Sequence, residues 1–101
     1  MAGMMNVSEA VVGTSAATES GITAEMAAAS AAASAALTGV VPMGADADSA
    51  AFAAALSGAG GAYLGTAAEH AGQRGLFSGA QGLAGVTYGV TDAMNNATLA
   101  L

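Results

Sequence analysis

The second half of the chain repeats glycine and large apolar residues on one seven-residue interval, on opposite sides of a helix. Every seventh position from Leu56 gives Leu56, Tyr63, His70, Phe77 and Ala84, with Phe52 and Tyr88 at half-heptad offsets, so these side chains form one seam. Gly58, Gly65, Gly72 and Gly79 recur at the same interval, interleaved with Gly61, Gly75, Gly82 and Gly89, roughly half a turn around at ~100° per residue. Each glycine costs a helix about 1 kcal/mol relative to alanine, so the eight from Gly58 to Gly82 cost roughly 8 kcal/mol, against ~5–15 kcal/mol for the stability of a whole domain. A solitary helix cannot carry that cost. The pattern requires one helix close against the glycines and another surface over Leu56, Tyr63 and Phe77, which makes the chain part of a larger helical bundle.

Composition agrees. The chain has 101 residues and is 54% apolar, but most of that fraction is alanine, whose methyl group buries little area. Seven acidic residues against Arg74 alone give a net charge of −6, which leaves nothing to neutralise phosphates and argues against nucleic acid or anionic membranes as partners. The lack of cysteine removes disulfides, thiolate catalysis and the usual structural zinc sites. No N-terminal stretch has the basic start and compact apolar core of a cleaved signal peptide, so export would need another route. Two charge-free windows, between Glu25 and Asp46 and between Asp48 and Glu69, are long enough to span a bilayer. Their Ala, Ser and Gly content, with few Leu or Ile, argues against insertion.

Two helices are predicted. Asn6 with Glu9 has capping-box spacing, placing helix one at about 7–38, with Val11, Ile22, Met26 and Leu37 on a stripe that Ala29 and Ala33 complete. Gly39 is positioned to close it and Pro42 prevents its resumption, giving a turn at 39–46. Asp46 is placed to cap helix two, expected at about 47–86, with Asp48 complementing the helix N-terminus. Helix one, at ~1.5 Å per residue, would cover helix two to about residue 78. Beyond it Thr87, Thr91, Asn95, Asn96 and Thr98 lower helix propensity, so a frayed tail is expected over 87–101. The periodicity leaves open which of the two stripes of helix two faces helix one, with the glycine side against the alanines of helix one the favoured arrangement.

Little in the sequence carries chemistry. His70 is the single histidine and reads as a bundle residue, Glu69 and Arg74 as edge charges, and the serines lack a positioned base, so neither catalysis nor a metal site is expected. Met26, Met43 and Met94 read as gap-fillers, with Met43 on the turn. Tyr88 and Asp92, four apart, share one face if the helix continues, and present a ring and a carboxylate to a receptor.

Several residues together resemble the PE family of mycobacteria over nearly the full length. They are Ser8-Glu9 entering the first helix, the Ala-rich first helix, the turn Val41-Pro42-Met43-Gly44-Ala45-Asp46 followed by Ser49, and Tyr88-Gly89-Val90-Thr91-Asp92 after a second helix. Ser8-Glu9 stands for the family's N-terminal motif, with Ser8 where the eponymous proline would be; a serine there can cap the helix instead. The chain resembles the short family members associated with type VII (ESX) secretion systems.

The resemblance implies an all-α, antiparallel two-helix hairpin forming a single PE domain over residues 1–101, which completes a four-helix bundle with a PPE partner. It implies that Tyr88 and Asp92 are the type VII secretion signal, and that a cytosolic chaperone grips the PPE partner. The secretion ATPase of the ESX machinery would then move the heterodimer to the cell surface or beyond. No enzymatic activity, cofactor, small-molecule substrate or nucleic acid is implied. Val11, Ile22, Met26, Leu37, Phe52, Leu56, Tyr63 and Phe77 are the expected partner-binding residues. Two other readings are a self-associating symmetric bundle of two hairpins and, third, a small membrane-active helical protein.

Overall fold

The computed structural model describes residues 5–100. They form two helices, α1 (Glu9–Thr38) and α2 (Ala47–Leu99), with no strand among them, as expected for an all-α helical hairpin. α1 starts two residues later than the capping-box spacing predicts, because Ser8 caps it instead of Asn6. The Ser8 hydroxyl accepts from the Val11 amide at 3.4 Å, and its carbonyl takes the amide of Val12 at 3.1 Å. Ser8 therefore supplies by hydrogen bonding what a proline would supply by fixing the backbone.

α1 ends at Thr38, but Gly39 does not adopt the left-handed conformation of a helix cap, since no glycine among the described residues has a positive φ. Glycine is needed there for another reason. A Cβ on Gly39 would lie 2.8 Å from the carbonyl oxygen of Ala35, which accepts from the Gly39 amide at 2.9 Å. The next amide, Val40, donates to the Ser57 hydroxyl on α2 at 3.1 Å, so the chain leaving α1 is tied to the second helix.

Asp46 caps α2 as expected. Its carboxylate accepts from the Ser49 amide at 2.9 Å and from the Ser49 hydroxyl at 2.8 Å. The Ser49 amide, followed by its hydroxyl, holds the Asp46 carboxyl below its ordinary value of 3.8. A depressed folded-state value stabilises the fold above the ordinary carboxylate range, and that contribution is lost as pH falls through the lowered value. Asp46→Ala is expected to lower the melting temperature at neutral pH and to flatten the acid limb of the melting curve as pH falls below the ordinary carboxylate value of 3.8, measured by circular dichroism.

The expected boundary at residue 86 is overturned, because α2 continues to Leu99. The Thr and Asn residues beyond it each lower propensity by only about 0.5 kcal/mol, and no proline or run of glycine interrupts them. Thr87 and Thr98 also satisfy their hydroxyls on the carbonyls of Leu83 and Met94, one turn back. The expected limit of cover near residue 78 fails as well. In the region of the connection, Leu37 lies against Gly60, and the first turns of α2 line a depression with Val40, Val41, Pro42 and Met43. At the start of α1, Glu9 lies 3.5 Å from the position of a Cβ added to Gly89.

The chain divides into two compact units, one of Thr23–Gln73 and one of Met1–Ile22 with Arg74–Leu101. In the Thr23–Gln73 unit the helix residues that are not exposed are Thr23, Ser30, Ser34 and Leu37 of α1 and Ser49, Ala53, Ser57, Gly60, Leu64, Ala67 and Ala71 of α2. A Cβ on Gly60 would lie 1.9 Å from the Leu37 carbonyl oxygen, so only glycine permits this backbone approach. In the other unit the seam consists of Val12, Ser15, Ala16 and Glu19 against Arg74, Ser78, Gln81, Gly82 and Gly85. Its specificity is polar. Arg74 pairs with Glu19, the Ser78 hydroxyl donates to the Ala16 carbonyl at 2.8 Å, and the Gln81 amide donates to the Ser15 hydroxyl at 2.6 Å.

The α2 contact face therefore differs from the one expected. Its heptad runs through positions 53, 60, 67 and 74, and the row Gly58, Gly65, Gly72, Gly79 lies about 160° away from it. Nothing lies within 4 Å of a Cβ added to any of those four, nor at Gly61 or Gly75. The glycines that admit α1 are Gly60, Gly82, Gly85 and Gly89.

Candidate functional site

The helix seam hides almost no large side chain: Ala16 and Ala53 are the only buried hydrophobic residues among those described. The bulky seam of α2 lies about 60° to one side of the α1 contact, which leaves it uncovered. Phe52 is 64% exposed, Tyr63 59% and Phe77 57%, with Leu56 also exposed. On α1, Val11, Ile22 and Met26 are exposed, whereas Leu37 is half-buried and faces Gly60. In the Thr23–Gln73 unit, Met26, Ala29 and Ala33 line one shallow depression with Tyr63, so the α1 stripe and the α2 seam open on the same side there. In that unit, too, Val40, Val41, Pro42 and Met43 form an apolar depression with Phe52 and Leu56. Met43 is almost fully exposed, which fits a contact residue better than a gap-filler.

In the unit that contains both chain ends, Tyr88 and Asp92 lie one helical turn apart and line one open depression of about 680 Å³ with Leu83, Thr87, Thr91 and Met5. Tyr88 is 38% exposed and Asp92 is exposed. Glu9, the first residue of α1, has its side chain against Gly89, which lies between Tyr88 and Asp92 in sequence. His70 and Glu69 are exposed, and Arg74, read as an edge charge, is half-buried in its pair with Glu19. Among the described residues no cluster of His, Cys, Asp and Glu has the arrangement of a metal site, and no helix is long and apolar enough to cross a membrane.

Two features escaped the sequence reading. Gly60 sits in the inconspicuous small-residue heptad Ala53, Gly60, Ala67, which the adjacent seam Ser57, Leu64, Ala71 could have revealed as the tight contact. Met5 precedes the predicted helix and has no periodic partner, so nothing linked it to Tyr88.

Comparison with curated proteins and with solved structures found no match. Comparison with family models gave a match to the PE family over residues 5–95, which takes in the start of α1, the turn, and both Tyr88 and Asp92. The match spans most of both helices, and the chain belongs to the PE family.

Proposed function

We propose that this PE protein is a non-enzymatic subunit that pairs with a PPE protein in a four-helix bundle and marks the pair for type VII secretion through Tyr88 and Asp92. The observation that carries the reading is the exposure of Phe52, Tyr63 and Phe77 beside a seam of Ala, Ser and Gly. An apolar row of that size on a helix pair with so small a core calls for a second helical surface. Val11, Ile22, Met26 and Leu56 extend the surface offered to the partner, while Leu37 contributes from within the helix seam. A cytosolic chaperone holds the PPE subunit, and the ESX ATPase moves the complex from the cytoplasm to the cell surface or the extracellular space. The protein works by recognition, with no cofactor and no small-molecule substrate.

Co-expression with a PPE protein encoded beside it tests the pairing. A soluble complex with one copy of each chain is expected; failure of every such candidate to co-purify removes the reading. For the signal, Tyr88→Ala is expected to leave the complex intact in cell lysates and to abolish its appearance in the culture filtrate. Normal secretion of that variant removes the assignment. A symmetric assembly of two copies of this chain would instead show as a stable dimer when the protein is expressed alone.

A further inference from the structure

We propose that the side of α2 turned away from α1 is a contact between two copies of this chain, in which Leu76, Leu83 and Val90 of each copy seat against Gly72, Gly65 and Gly58 of the other. The contact uses a different face from the row offered to the PPE subunit, so it joins two complexes into a symmetric pair.

The apolar half of this surface belongs to the unit that contains both chain ends. Leu76, Leu83 and Val90 follow one another at seven-residue intervals on α2, and all three are exposed, Leu76 and Leu83 at 68% each. Leu83 lies two positions before Gly85, about 160° around the helix from the face that meets α1. The glycine half belongs to the Thr23–Gln73 unit. Gly58, Gly65 and Gly72 each stand two positions after Leu56, Tyr63 and His70, again about 160° from the bulky seam. Nothing lies within 4 Å of a Cβ built on any of the three, so α1 supplies no reason for glycine, although each costs α2 about 1 kcal/mol relative to alanine. A large side chain from another molecule supplies one, because bare backbone is where it can approach closely.

The occupant is a second copy because the chain carries both halves of the complement on one period, the condition for knobs of one helix to meet holes of another. In an antiparallel pair with Leu83 opposite Gly65, Leu76 falls opposite Gly72 and Val90 opposite Gly58. The two-fold axis repeats the same contacts in reverse, and the surface closes instead of growing into a filament. Charge agrees with this arrangement. No charged residue stands between Arg74 and Asp92, and Glu69 falls opposite Gly79, so two chains of net charge −6 meet where no acidic side chains face each other. A parallel pair would instead set Glu69 against Glu69 and glycine against glycine. The stretch from Gly58 to Val90 is ~50 Å long and a contact strip ~10–12 Å wide, or roughly 1,000–1,200 Å² over both copies, near the lower limit for a specific interface. The association is therefore reversible, with the one-to-one complex as its dissociated form, and in a dilute melt Gly65 faces solvent.

The test uses the complex co-purified with a PPE protein. Its weight-average mass in sedimentation equilibrium, over about a hundred-fold range of concentration, is expected to rise from one copy of each chain towards two of each. Leu83→Asp changes a side chain that the hairpin leaves exposed, and is expected to weaken this association about a hundred-fold because it enters the symmetric contact twice. Register is read by disulfide formation, since the chain has no cysteine of its own. Complexes carrying Gly65→Cys and Leu83→Cys, mixed under oxidising conditions with any cysteine of the PPE subunit replaced by serine, are expected to cross-link to each other at least about ten times faster than either does to itself. Preferential linking of Gly65→Cys to itself means a parallel pair and overturns the proposal. A complex that stays one-to-one at every concentration and gives no mixed cross-link overturns it too, and leaves the pairing with the PPE protein standing. Should no PPE protein bind, the pairing reading falls, and the same mixture of cysteine variants of the chain alone decides this one.

Discussion

Gly60→Ala is expected to break the pairing of α1 with α2, while Gly65→Ala, five residues on, strengthens α2. The added methyl at residue 60 would lie 1.9 Å from the Leu37 carbonyl oxygen and 2.6 Å from its carbon, both backbone atoms that cannot turn aside. Relief requires the end of α1 to move, and overpacking of this kind costs about 3 kcal/mol or more, a large share of a small domain's stability. At Gly65 the methyl meets nothing within 4 Å, so the change removes only the helix penalty of glycine and gains about 0.5–1 kcal/mol. Thermal melting of the two variants in the co-purified complex, followed by circular dichroism, should shift in opposite directions. Equal shifts would mean that the close contact at Gly60 is absent in solution.

The other large effect concerns the uncovered row. Tyr63→Asp or Phe77→Asp replaces an exposed ring by a charge, so the hairpin itself loses little, while a partner would have to bury that carboxylate. Truncating a central aromatic anchor costs an interface about 2–4 kcal/mol, and a buried unpaired charge adds to the loss. The aspartate variants are expected to weaken the complex by at least about a hundred-fold, read as loss of co-purification after co-expression of the two subunits. Unchanged complex formation with both variants would place the partner elsewhere. The same pair of variants separates the two bundle readings, because a symmetric dimer of this chain would fall apart under them without any second protein present.

Sequence carried the fold class further than the contact face. Pro42 and Asp46 bound the turn between two helices through elementary ring and capping chemistry and the structure keeps that turn, whereas the cap expected at Asn6 falls on Ser8. The location of the seam was not legible in the same way. Gly58, Gly65, Gly72 and Gly79 make the conspicuous repeat, yet they face open space, and the tight contact falls on Gly60, which belongs to no glycine heptad. Periodicity identifies residues that share a face, but not which face a neighbour occupies. The helix continues beyond residue 86 because each Thr or Asn there costs little propensity and no proline interrupts the run. The row Phe52, Leu56, Tyr63, Phe77 was legible as one that needs cover, and it stands uncovered.

The central claim is that this helix pair is energetically incomplete by itself. Sedimentation velocity of the chain expressed and purified alone, combined with its thermal melt, tests it most directly. The account predicts aggregation or a broad, non-cooperative transition, and a compact, cooperatively melting species only after a PPE protein is supplied. A monodisperse monomer with a sharp two-state melt and no companion would contradict it.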